Sequence, residues 1–271
     1  MGLTRPVALS IAGSDSSGGA GVVADLKTFE ALGVWGAVAL TAVTAQNSLG
    51  VSATHLVPPG VIRAQIAAVA GDVVVGAAKT GMLGSAAGVR AAADGIREAG
   101  IALVVVDPVL ISKHGDALLA GDAIEVLRAV LLPLATVVTP NLAEAAALVG
   151  FPVEDRGAMV AAAGELRRAG PEVVLVKGGH LADEGSSPDL VCGPDGLQWL
   201  EGPRRATVHT HGTGCVLSAA IAAYLALGRS PQQACAEGKR FVSLAIASGG
   251  PRGRGIGPVD PGSLARARQA P

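Results

Sequence analysis

The sequence predicts an α/β fold built on a central, mostly parallel sheet, and three observations carry that prediction. Short β-branched runs alternate with Ala- and Leu-rich stretches of helical length, the runs are apolar on both faces, and polar residues follow nearly every run. Strands buried between helix layers need apolar side chains on both faces, whereas a sheet with one wet face would alternate. Strand-then-helix order repeated along a chain gives parallel strands covered by their crossover helices.

The predicted strands are residues 7–12, 34–43, 73–78, 102–107, 136–139 and 172–176. Periodic Leu, Val and Ala predict helices over 20–32, 58–69, 85–99, 122–131, 141–149, 156–169 and 216–227, with Gly33, Gly100, Gly150 and Gly170 as stops. Leu190-Val191 and the run 197–200, split by Gly193-Pro194-Asp195-Gly196, read as a hairpin at a sheet edge. No fixed-period repeat or internal linker interrupts the pattern, so one domain over residues 1–260 is expected, with 261–271 as a C-terminal tail. Beyond Gly249 the composition turns to Gly, Pro and Arg with little to bury, which predicts a loosely held segment.

Composition narrows the function classes. A chain of 271 residues that is 50% hydrophobic and 16% charged buries a sizeable core. Its net charge of -1 and pI near 6.5 give no global field for nucleic acid or an anionic membrane, which leaves small molecules as partners. Cys192, Cys215 and Cys235 are odd in number and form no C-x-x-C pair, against a disulfide framework or a zinc cluster. The first apolar run begins too early for a signal peptide, and no uninterrupted apolar stretch reaches the ~20 residues of a membrane helix. A soluble, cytoplasmic protein is expected.

Ligands of an open parallel sheet bind beyond the carboxyl ends of its strands. Those positions here carry Gly13-Ser14-Asp15-Ser16-Ser17-Gly18-Gly19-Ala20-Gly21, then Gln46 and Asn47, Lys79-Thr80-Gly81-Met82, Asp107-Pro108-Val109, Thr139-Pro140-Asn141 with Glu144, and Lys177-Gly178-Gly179-His180. Ahead of the last predicted helix stands Thr210-His211-Gly212-Thr213-Gly214-Cys215. Glycines that let successive N–H groups curl to one point, at the positive end of a helix, make an anion cradle suited to phosphate. Cys215 would sit at its lip, where a helix N-terminus favours the thiolate and equips it to take a proton. The plain alternative is a Gly-rich turn with a buried cysteine.

Competing motifs lose ground. Gly19-Ala20-Gly21-Val22-Val23-Ala24 matches a loose dinucleotide fingerprint, yet no acidic residue lies at the roughly 20-residue offset that would hold a ribose. There is no G-x-x-x-x-G-K-[ST] loop and no G-x-S-x-G elbow. His209 and His211 have a spacing usable for a metal on a strand, but no neighbouring acid or cysteine completes a site.

In that order, with Ala24-Asp25-Leu26-Lys27-Thr28, Ala45-Gln46-Asn47 and Gly255-Ile256-Gly257-Pro258, these motifs resemble the ribokinase-like superfamily. Within it the chain is similar to the hydroxymethylpyrimidine and phosphomethylpyrimidine kinases of thiamine biosynthesis, over about residues 7–258. Most of the superfamily has an aspartate where this chain has Cys215, and the cysteine marks the pyrimidine-kinase branch and some pyridoxal kinases. The resemblance implies a ribokinase-like three-layer α/β/α fold with a central mostly parallel sheet, and a homodimer. It implies transfer of the γ-phosphoryl group of ATP, with Mg²⁺, to 4-amino-5-hydroxymethyl-2-methylpyrimidine and then to its monophosphate.

On that resemblance Gly212, Thr213, Gly214 and Cys215 form the anion hole, with Cys215 as proton acceptor. Gln46 reads the ring, because its amide both donates and accepts, while Gly13, Ala20, Met82 and Val109 supply walls and a backbone contact. With aromatics at 2%, stacking is no handle, so the slot is aliphatic. Lys177, Asn141 and Thr210 are the ATP-binding candidates, and Asp107 and Glu144 the residues that hold Mg²⁺ through water. Asp25 is assigned to the substrate loop, which it caps or orients, with a plain surface role as the alternative. Lys113-His114-Gly115-Asp116 departs from the family's usual Lys-Ser-Gly-Asp in an expected active-site flap, where His114 either alters closure or is merely solvated. A pyridoxal kinase of the same cysteine-bearing type is the second reading, and a ligand-binding regulator without turnover the third.

Overall fold

Strands and helices alternate as predicted over most of the chain, and the computed structural model describes residues 5–110, 121–181, 185–263 and 266. The strands are β1 (Val7–Ala12), β2 (Trp35–Leu40), β3 (Ala42–Asn47), β4 (Gly50–Leu56), β5 (Val75–Thr80), β6 (Val104–Val106), β7 (Val137–Val138), β8 (Val173–Lys177), β9 (Asp189–Gly193) and β10 (Gly196–Leu200). The helices are α1 (Gly21–Ala31), α2 (Pro59–Ala70), α3 (Ala86–Glu98), α4 (Gly121–Val126), α5 (Leu142–Val149), α6 (Arg156–Arg168), α7 (Thr213–Ala226) and α8 (Pro231–Ala247). The expected flap at residues 113–116, His114 included, lies outside the described residues.

Eight strands form one sheet in the order β10-β9-β8-β7-β6-β5-β1-β2. Pairing is parallel from β2 through β8, and β9 and β10 add antiparallel at one edge, the position predicted for the 190–200 hairpin. Period-two alternation divides each strand between two cores. Val104 and Val106 face a cluster with Ile62, Ile66, Ile96 and Met159 of α2, α3 and α6, while Val105 faces one with Phe29, Ile221 and Phe241 of α1, α7 and α8. Apolar all round, α7 is buried from Val216 to Ala223. No helix among the described residues is long and apolar enough to cross a membrane.

Three expectations need correction. The single strand over 34–43 is two: β2 stays in the main sheet, Thr41 ties back to Ala12 O and Met82 O, and β3 leaves to form a separate antiparallel ribbon with β4. No Gly or Pro marks that departure, because contacts made far along the chain set it. Helix α8 was not foreseen, although Ser230 caps it, Pro231 stands at its first position, and Ser230 and Gln233 form a reciprocal capping box. The segment after Gly249 is anchored: Ile256 N bonds Ser48 O, Val259 N bonds His211 O, and Val259 is buried.

Candidate active site

The carboxyl ends of β1, β5, β6, β7 and β8 and the first turn of α7 surround one cavity of about 820 Å³. Gly13, Ala20, Gln46, Met82 and Val109 line one part, and Lys177, Asn141, Thr210, Asp107, Glu144 and the turn 212–215 line the rest. Among the described residues, no Phe, Trp or Tyr reaches it, in keeping with an aliphatic slot.

Gly212 caps α7 with φ of 80°, a left-handed conformation that glycine adopts without strain. The helix that follows starts with no side-chain cap hydrogen bond and no acidic residue in its first turn, where the N–H groups of Gly214 and Cys215 lack a partner within the helix. Thr213 differs, because its N–H turns back to Thr210 O at 3.3 Å and its hydroxyl to the same oxygen at 2.8 Å. Of the four residues expected to form an anion hole, Thr213 thus has its N–H engaged within the turn.

Cys215 is half-buried on the cavity wall, but the expectation of a favoured thiolate is not met. Burial pushes its thiol up to about 11 from an ordinary 9.0; Lys79 draws it down, while Asp25 and Asp107 push it up. Desolvation is the largest of these influences.

Beside the turn lies a charged cluster. Lys177 Nζ is 3.0 Å from Asp107 Oδ1 and 3.6 Å from Glu144 Oε2. Burial works against its charge, but these two carboxylates hold its pKa above the ordinary lysine range. Asp107 also accepts from Thr139 Oγ1 at 3.2 Å and from Ser218 Oγ of α7 at 3.1 Å. Burial alone would raise its pKa, and Lys177 with Lys79 bring it below the usual range. Burial and nearby Asp107 raise Glu144. Asn141 and Glu144 form a capping box on α5, so the side-chain oxygen of Asn141 is already engaged by Glu144 N at 2.9 Å.

Among the described residues, no group of three His, Cys, Asp or Glu is placed to cage a metal. Two carboxylates already sharing one cation at the cavity wall fit a hydrated Mg²⁺ held jointly with phosphates, the habit of that ion. His209 is committed elsewhere, accepting from Gly257 N at 3.0 Å.

Asp25 is the predicted site residue that the structure does not bring to the cavity. It is fully buried, bonded by Lys79 Nζ at 2.8 and 2.9 Å and by Ser10 Oγ at 2.6 Å, so both the loop role and the surface role fail. Burial opposes the charge of Lys79, and Asp25 more than offsets it. The loop is organised instead by Asp15, which accepts from Ser17 N, Ser17 Oγ and Ala20 N at 2.7–2.8 Å.

Residues 15–260 match the family described as phosphomethylpyrimidine kinase. The chain belongs to that family. A hydroxymethylpyrimidine/phosphomethylpyrimidine kinase from Streptomyces coelicolor is 50% identical over 260 residues, covering 96% of each chain. Among solved structures, the ADP complex of Bacillus subtilis pyridoxal kinase superposes with a TM-score of 0.90 at 37% identity, covering 97% of this chain and 99% of that one. The phosphomethylpyrimidine kinase of Clostridium difficile gives 0.79 at 39% identity, covering 89% and 100%. The ribokinase-like fold is thereby shown.

In this phosphomethylpyrimidine kinase family member, sequence reasoning missed the pairing of Asp15 with His211, at 2.8 Å, and the part of the cavity lined by Lys239, Val242, Ser243 and Ile246 of α8. The capping box at Ser230 was the available signal for the second. The first had none, since the partners are 196 residues apart.

Proposed function

We propose that the protein transfers the γ-phosphoryl group of ATP to the hydroxymethyl group of 4-amino-5-hydroxymethyl-2-methylpyrimidine, and then phosphorylates the monophosphate to the diphosphate, in thiamine biosynthesis. One observation carries this reading: a single cavity joins an aliphatic slot bearing one amide, Gln46, to a helix-end cradle flanked by Lys177, Asp107 and Glu144. The 50% identical relative bears the same activity in its name.

In this mechanism Gln46 pairs with the ring and its exocyclic amine, and Gly13, Ala20, Met82 and Val109 hold the ring so that the hydroxymethyl faces α7. The N–H groups of Gly214 and Cys215 meet the charge on the moving phosphoryl group, with Gly212 setting their direction. Lys177 neutralises phosphate oxygens, and Asn141 and Thr210 border the nucleotide. Mg²⁺, when bound with the nucleotide, supplies further charge neutralisation, and Asp107 and Glu144 would hold it through its waters. A thiol held at about 11 is mostly protonated at neutral pH. Phosphoryl transfer through a loose transition state asks little of a base, so the Cys215 thiol orients the hydroxyl, and only its minor thiolate fraction takes the hydroxyl proton and becomes the thiol.

The same proposal takes residues 1–260 as one kinase domain, acting as a cytoplasmic homodimer. The likeness to Bacillus subtilis pyridoxal kinase favours a second reading, with pyridoxal as the accepted ring. Incubation with MgATP and either hydroxymethylpyrimidine, its monophosphate or pyridoxal, followed by ADP release, tests both. Turnover with the two pyrimidines is expected, falling about 10- to 100-fold in Cys215→Ala. Turnover with pyridoxal alone gives the second reading, and none with any ring gives a binding protein without turnover.

A further inference from the structure

Two parts of the cavity wall that are far apart in sequence meet through a buried pair. The loop between β1 and α1 is fastened on one side to β3: Thr44 N bonds Ser14 Oγ at 3.0 Å, and Ser16 Oγ both donates to Gln46 O and accepts from Gln46 N at 2.8 Å. On the other side it is fastened to the anion turn. His211 Nε2 lies 2.8 Å from Asp15 Oδ2, with both residues buried. Burial by itself would raise Asp15, but the bonds from His211 and Ser17 bring it down to about 2, so its carboxylate only accepts and His211 Nε2 carries the proton.

The fit between the two pieces is close. A Cβ on Gly19 would stand 2.6 Å from His211 Cδ2, and one on Gly212 would stand 1.9 Å from Gly19 O. Backbone bonds from His211 N to Gly257 O and from Val259 N to His211 O hold the histidine from behind. His211 therefore stands immediately before the glycine that aims the cradle, while its ring grips the loop that positions Gln46.

We propose that His211 is a positioning residue that acts through Asp15, locking the ring-binding loop to the anion turn so that the pyrimidine and the nucleotide each strengthen the other's binding. This deepens the kinase reading and rests on it. A ring held by the loop keeps Gly19 seated against Gly212, so the nucleotide meets a cradle held in place. Linkage requires the converse by the same factor.

The test is isothermal titration calorimetry with Mg²⁺ and β,γ-methylene ATP, on the protein alone and on the protein saturated with hydroxymethylpyrimidine. The quotient of the two Kd values is the coupling, and about tenfold is expected in the unmodified protein. In His211→Ala it should fall to near one, while His211→Gln, which keeps a donor near the Nε2 position, retains most of it. Ser16→Ala, at an exposed position away from the anion turn, should also lower the quotient. General loss of stability would weaken both titrations without removing their ratio. A quotient of one in the unmodified protein, or an unchanged quotient in His211→Ala, overturns the inference while leaving the kinase reading intact. Failure of the pyrimidine to bind at all overturns the kinase reading, and this one with it.

Discussion

At the α7 end of the cavity the groups are charged and cross-linked, with Lys177 between Asp107 and Glu144 and Ser218 bonded to Asp107. At the loop end they are mostly uncharged: Gly13, Ala20, Met82 and Val109, with the polar amide of Gln46. The first end is suited to a ligand whose charge is fixed and whose reacting group must be stabilised as it moves. The second is suited to recognition by shape and a few hydrogen bonds. Damage at the α7 end should therefore fall on kcat, and damage at the loop end on KM.

The largest expected effect is at the junction of the two. Gly212→Ala places a Cβ 1.9 Å from Gly19 O at a φ of 80°, displacing the N–H groups behind it. ADP release should fall about a thousandfold or more, with circular dichroism used to confirm that the variant is folded. A folded variant within tenfold of the unmodified rate would show that this turn does not aim the cradle.

Next in size is the thiol. Alkylation of Cys215 by iodoacetamide, followed by peptide mass spectrometry, should rise with pH towards a midpoint of about 11 rather than 9.0. At pH 8 that makes it about a hundredfold slower than an ordinary cysteine. A midpoint below 9.0 would restore a thiolate at the helix end.

At the loop end, Gln46→Leu should raise KM for the pyrimidine about tenfold with a smaller change in kcat, since a hydrogen-bonding pair is removed and the phosphate machinery is untouched. An equal fall in kcat with KM unchanged would place Gln46 in the chemistry instead.

The smallest effect appears only in acid. Asp15 has its pKa depressed to about 2 from 3.8. Its contribution to folding is thus fully present above about pH 4 and is lost as pH falls towards 2, amounting to about 2 kcal/mol. Urea unfolding across that window should show the loss in the unmodified protein and a flatter profile in Asp15→Asn.

The α7 end was the more legible of the two in sequence. Asp107, Asn141 and Lys177 each follow a strand whose apolar run is unambiguous, and parallel-sheet geometry sends such residues to one rim. The Gly212 turn announces itself by its glycines before a helix. What the sequence hides is pairing over distance. Lys79 and Lys177 are both lysines at strand ends, but the partner of Lys79 is Asp25, 54 positions earlier on a helix, and the two are buried together with Lys79 at the cavity wall. Asp15 and His211 are hidden in the same way. The raised pKa of Cys215 is hidden for a related reason, because burial, its largest cause, is a property of the packed molecule.

The most direct measurement is where the phosphorus goes. With MgATP and hydroxymethylpyrimidine, mass spectrometry of the pyrimidine over time should show the monophosphate first and the diphosphate after it, with ADP matching each phosphate transferred. ADP accumulating while the pyrimidine keeps its original mass would contradict the account.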